Sequence, residues 1–153
     1  MKIAEKLAEL NIKLTPAEDI SPAIGAYAKT GSLIFTSGMV PPATNGVRPK
    51  GKVGREFTTV EAQKYVRETA IELLGVLDTA AGSLDNIKQI VSLQCFVNSV
   101  PEYTEQSILF NTASDLFYEI FGEKGKHSRY ALSMGSLPMG VPVEIAVIAE
   151  VEE

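Results

Sequence analysis

The sequence predicts an α+β domain in which two helices cover one face of a single mixed β-sheet. Three observations carry that expectation. Two long segments repeat their apolar residues at helical spacing, several shorter ones are rich in β-branched and aromatic residues, and the order reads β-β-α-β-α-β-β. At 153 residues and 16.5 kDa the chain has room for one domain, expected to fill 1–153, because a second core would be too small to stand alone.

The elements follow in order. Ile3, Leu7 and Leu10 share one side of a short N-terminal helix over about residues 2–10, an extension to the domain, and Pro16 and Pro22 bracket the loop after it. Residues 26–29 and 32–37 read as two short strands joined near Gly31. From 40 to 57 nothing is periodic, and Pro41, Pro42, Gly46, Pro49, Gly51 and Gly54 predict a long surface loop at the rim of a site. Thr58 and Glu61 have capping-box spacing. Ala62, Val66, Ala70, Leu73, Leu77 and Ala80 then form one apolar stripe, and Gly82 stands where a left-handed helix end is expected. Residues 87–97 read as a long strand. Leu109, Ala113, Leu116, Phe117, Ile120 and Phe121 mark a second helix ending at Gly122, and two last strands occupy 129–134 and 141–151.

Composition excludes several classes of function. Nineteen acidic against fourteen basic side chains give a formal charge of -5, so binding nucleic acid would need a local basic patch. Arg48, Lys50, Lys52 and Arg55 make such a cluster, but no aromatics interleave with it, and a solvated loop is the expectation. No apolar run approaches membrane-spanning length, and residues 1–6 mix charges where a signal peptide has its apolar region, so a cytoplasmic protein is expected. One cysteine and one histidine allow no intrachain disulfide, no Cys-based metal site and no multi-His metal site. Cys95, in an apolar strand, reads as a buried small hydrophobe. His127, two positions before Arg129, is either a loop residue at the surface or a proton shuttle at a cleft.

The last strand raises the question of what covers the sheet's second face. Val141, Val143, Ile145, Val147, Ala149 and Val151 line the side expected to meet the helices. Pro142, Glu144, Ala146, Ile148 and Glu150 line the other, exposing Ala146 and Ile148 unless a second copy or the N-terminal segment covers them. If Tyr130, Leu132 and Met134 are the core row of their strand, Arg129 points to the face that carries Glu144. The two would then form a cross-strand ion pair, or hold a ligand between guanidinium fork and carboxylate.

Residues 128–145, Ser-Arg-Tyr-Ala-Leu-Ser-Met-Gly-Ser-Leu-Pro-Met-Gly-Val-Pro-Val-Glu-Ile, resemble the signature of the YjgF/RidA family, once called L-PSP endoribonucleases. Arg129 and Glu144 keep its spacing of fifteen positions, Phe35-Thr36-Ser37-Gly38 is similar to its apolar-x-Ser-Gly segment, and Asn111 matches an Asn of its second helix. The similarity runs over about residues 20–151 and is that of a less characterised branch. It implies a chorismate mutase-like fold, a homotrimer whose sheets form a central barrel, and ligand sites in clefts between subunits. It also implies hydrolytic deamination of reactive 2-imino or enamino acids to 2-oxo acids and ammonia without metal or organic cofactor. By position, Arg129 would hold the substrate carboxylate and Glu144 would position the attacking water. Ser37 and the Gly38 amide would line the pocket, and Asn111 would shape it. Ala131 stands where the deaminases have a cysteine, and their tyrosine has no clear counterpart, Tyr27 lying too close to Ser37. The alternatives are a non-catalytic small-carboxylate sensor of the same fold and, ranked last, an endoribonuclease.

Overall fold

In the computed structural model, which describes residues 2–152, the chain runs α1 (Ile3–Glu9), β1 (Tyr27–Thr30), β2 (Leu33–Thr36), α2 (Thr59–Ala81), β3 (Ile87–Asn98), α3 (Gln106–Phe121), β4 (Ser128–Met134) and β5 (Val143–Val151). The end positions 1 and 153 of the expected domain lie outside the described residues. Helix α2 is closed at both ends by its own sequence. The Glu61 amide donates to Thr58 Oγ1 at 3.1 Å and the Thr58 amide to Glu61 Oε1 at 2.9 Å, while Gly82 takes φ 82° at the far end.

The strands form one mixed sheet in the order β1-β2-β5-β3-β4, antiparallel throughout except for β3 with β4. A parallel pair needs a crossover, and α3 supplies it. Leu73 and Leu77 of α2 and Phe110 and Phe117 of α3 pack with Leu93 and Cys95 of β3 and Ile145 and Val147 of β5 in one fully buried core. Both long helices therefore lie on one face, as the stripes predict. Segment 10–17 joins this helical layer. Ile12 is buried, the Thr15 carbonyl lies against Gly75 of α2 where a side chain would not fit, and the Ala17 amide donates to Thr79 Oγ1 at 3.0 Å. Residues 10–17 thus pack on α2 rather than over the open face of the sheet.

That open face differs from the expectation in two ways. Ala146 is buried and Ile148 half-buried within the chain, because β5 is an inner strand flanked on both sides. Exposure falls instead on Phe35 of β2 (40%) and on Tyr130 and Leu132 (both 47%) of the edge strand β4. The second correction concerns parity. Arg129, Ala131 and Ser133 stand beside Leu93, Cys95 and Val97, whose side chains are buried under the helices. Leu132 stands beside Phe96, which is itself beside Glu144. Tyr130, Leu132 and Met134 are therefore the open-face row, and Arg129 and Glu144 project from opposite faces of the sheet.

The 40–57 loop is stitched down more firmly than a solvated loop would be. Val53 is fully buried and its amide donates to the Asn98 carbonyl at 2.8 Å. Lys52 Nζ donates to Asn98 Oδ1 at 2.7 Å and to the Gly135 carbonyl at 2.5 Å.

Candidate functional site

The sequence-predicted residues fall into two clusters. The first lies under the exposed edge of the sheet, where β4 passes α3. Asn111 and Ser114 are three positions apart on α3 and so share a face. Arg129 Nη1 donates to Asn111 Oδ1 at 3.0 Å and to Ser114 Oγ at 3.1 Å. His127 completes the cluster, with Nε2 2.9 Å from Ser114 Oγ and Nδ1 2.6 Å from the Gly125 carbonyl. It is half-buried and edge-on to Phe117, so the expectation of a surface loop histidine does not hold. Nε and Nη2 of Arg129 bond no group among the described residues, and the cross-strand pair with Glu144 is not formed. A half-buried guanidinium with donors to spare suits a planar anion.

The second cluster gathers around Glu144. Beyond β2 the chain stays against β5, since the Met39 amide donates to the Ile145 carbonyl at 2.8 Å and the Ile145 amide to the Met39 carbonyl at 3.0 Å. This brings Gly38 directly under the Glu144 carboxylate. Ser37 turns its hydroxyl the other way, donating to the Gly25 carbonyl at 2.7 Å, so it anchors the loop before β1. A cavity of about 480 Å³ opens beside Gly38 and Glu144, walled by Met39, Val40 and Met139 and also bordered by Arg48 and Glu72. Burial pushes the Glu144 carboxyl above its ordinary value; it does the same to Glu72 of α2, with the Arg48 charge pulling the other way. Perturbed carboxyls in a mainly apolar cavity fit acid–base work.

Sequence reasoning missed Glu72, Arg48, Ser114 and the bonded state of His127. Ser114, three positions after Asn111, was visible as a helical neighbour; Glu72 adjoins Leu73 of the apolar stripe. Arg48 belongs to an aperiodic loop and left no signal beyond its charge. Cys95 stands beside Ala131 in the β3–β4 pair, but burial pushes its thiol up to about 12 against the opposing pull of Arg129. It therefore offers no thiolate in place of the family cysteine. Among the described residues no three His, Cys, Asp or Glu side chains are grouped to hold a metal, and no helix is long and apolar enough to cross a membrane.

Residues 8–151 match the family model described as YjgF/chorismate mutase-like, putative endoribonuclease. Protein TCP17 of Trypanosoma cruzi is 36% identical over 150 residues, covering 97% of this chain and 94% of that protein. The crystal structure of Atu1372, a protein of unknown function from Agrobacterium tumefaciens, superposes with a TM-score of 0.87 at 34% identity, over 99% of this chain and 92% of that one. Escherichia coli TdcF, solved with bound serine, is more distant: TM-score 0.63 at 18% identity, over 92% of this chain and 98% of that one, a likeness of fold.

Proposed function

The chain belongs to the YjgF/chorismate mutase-like family, and from that premise we propose that it is a cofactor-free hydrolytic deaminase of reactive 2-imino and enamino acids. In this reading it works in the cytoplasm as a homotrimer, with each site in a cleft between two protomers. The observation that carries it is the placing of Arg129 and Glu144 on opposite faces of the sheet, each with its chemistry unspent. One small ligand cannot bridge them within a chain. Two copies meeting at the exposed β4 edge and the apolar open face would bring one copy's Arg129 and Asn111 to the other's Gly38 and Glu144.

In such a cleft Arg129 holds the substrate carboxylate by two parallel N–H bonds while Asn111 keeps the guanidinium in place. A water donates to the Glu144 carboxylate. As its oxygen bonds to the electrophilic C=N carbon, Glu144 takes the proton and the C=N electron pair moves to nitrogen. From a protonated imine this gives a neutral carbinolamine. Glu144 returns its proton to the nitrogen, the C–N bond breaks, and ammonia leaves as Glu144 takes the hydroxyl proton and the carbonyl forms. Met39, Val40 and Met139 give the substrate side chain an apolar wall. Neither a cysteine at position 131 nor a site tyrosine enters this scheme.

A second reading, non-catalytic binding of a small carboxylate, is favoured by Ala131 standing where the deaminases have their cysteine. RNA cleavage ranks last. The single histidine already has both nitrogens bonded within the protein, and the net charge of -5 repels a polyanion. The deciding experiment mixes the purified protein with threonine dehydratase and its substrate and follows 2-oxo acid release. Acceleration over the spontaneous rate supports the deaminase. Thermal stabilisation by pyruvate with no acceleration, there or with imines from an amino-acid oxidase, supports the binding protein instead.

A further inference from the structure

We propose that Ser114 and His127 form a one-way hydrogen-bond relay that sets the rotation of the Arg129 guanidinium and thereby chooses the edge it offers to a carboxylate. The inference rests on the carboxylate-binding role given to Arg129 above, and it makes Ser114 and His127 positioning residues.

The direction of the relay follows from what each atom can do. The Gly125 carbonyl only accepts, so the His127 Nδ1 lying 2.6 Å from it carries a hydrogen. The neutral ring in that tautomer has a lone pair on Nε2, 2.9 Å from Ser114 Oγ. Ser114 has one hydrogen and gives it to Nε2, which leaves its oxygen lone pairs facing Arg129 Nη1 at 3.1 Å. Asn111 Oδ1 takes the second Nη1 hydrogen at 3.0 Å. Both hydrogens of Nη1 are then spent. The two parallel N–H bonds left for a carboxylate lie on the side formed by Nε and Nη2.

The far end of the relay is held by packing. His127 stands at 89° to the Phe117 ring, with centroids 6.5 Å apart. Gly125 lies against the Phe117 carbonyl, where a side chain would collide, so a glycine is needed to bring its own carbonyl to His127. Asn111 alone would fix one hydrogen bond and leave the guanidinium free to twist about it; two acceptors on α3 remove that freedom.

The experiment uses the full chain in five forms: wild type, Ser114→Ala, His127→Phe, His127→Gln and the double variant Ser114→Ala/His127→Phe. Phenylalanine keeps the packing on Phe117 without an acceptor, whereas glutamine keeps an acceptor. Calorimetric titration with pyruvate should show about tenfold weaker binding for Ser114→Ala and for His127→Phe. The double variant should be no weaker than Ser114→Ala, because His127 acts through Ser114. His127→Gln should restore much of the loss, and pyruvamide, which lacks the carboxylate, should bind all five alike. Unchanged pyruvate affinity in Ser114→Ala, additive losses, or equal losses for pyruvamide would overturn the relay. A second readout stands apart from ligand binding: the two Nη1 hydrogens of Arg129 should give distinct NMR signals in the wild type and merge in Ser114→Ala. Wild-type protein that ignores pyruvate yet shows this difference refutes the carboxylate-binding role of Arg129 and keeps the hydrogen-bond relay; identical spectra refute the relay.

Discussion

The Glu144 carboxylate lies over the α-carbon of Gly38, so close that a methyl group there would occupy its place. Gly38 is not among the residues with positive φ, so its backbone would accept alanine and the conflict is purely one of space. Gly38→Ala should therefore fold but move the carboxylate. We expect a drop in kcat of at least about tenfold with a melting temperature near that of the wild type. Wild-type turnover in Gly38→Ala would mean that this carboxylate position has no part in the chemistry.

Arg129 carries the second half of the proposed site. Arg129→Ala should abolish measurable pyruvate binding, and Arg129→Lys should restore only a small part of it, because an ammonium keeps the charge and loses the planar fork. Equal affinities for the lysine variant and the wild type would show that charge alone is read.

The raised Glu144 carboxyl sets a pH dependence. If the carboxylate is the base, turnover should fail on the acid side at a higher pH than an unperturbed carboxylate would give, and Glu144→Gln should be inactive at every pH. The same burial weakens the fold. Between its ordinary value and its raised folded value, Glu144 holds more proton folded than unfolded, so stability drops as pH rises through that window and stays lower above it. Glu72 shifts in the same direction. Glu72→Gln should then raise the melting temperature at pH 7 and have little effect well below the carboxylate range; a lower melting temperature at pH 7 would contradict the burial argument.

The open face supplies an assembly test. Leu132 and Phe35 project from it. Leu132→Asp or Phe35→Asp should leave the sheet intact and reduce the sedimenting species from the proposed trimer to monomer, with turnover lost alongside. A trimer that survives both changes would place the interface elsewhere.

The capping box of α2 gives a stability measure apart from the site. Thr58→Ala should cost about 1 kcal/mol in denaturant unfolding. The Thr58 amide and hydroxyl hold the Glu61 carboxyl below its ordinary value. That contribution is present above the ordinary carboxylate value and is lost as pH falls through the lowered one.

Local chemistry made the elements legible. Thr58, Glu61 and Gly82 mark the ends of α2 because caps satisfy nearby backbone groups, and the stripe from Ala62 to Leu77 marks its buried side because helical spacing is set by neighbouring residues. The resemblance singles out candidates too: Arg129 and Glu144 in the 128–145 segment, and Asn111, Ser37 and Gly38 in others, although Ser37 turns its hydroxyl to the Gly25 carbonyl.

Their arrangement was not. Parity within β4 could be read either way, since Tyr130, Leu132 and Met134 are as apolar as a core row. Only the pairing of β4 with β3 put Arg129 under the helices and Glu144 on the far side. Likewise, Ala146 is shielded because β5 lies between β2 and β3, an adjacency that no run of neighbouring residues encodes. Caps, periodicity and turn residues act over a few positions, so the order of residues tells what each segment becomes and which side chains bring charge and hydrogen bonds. Which of those side chains meet depends on strand order and register, and these are set by contacts between segments far apart along the chain.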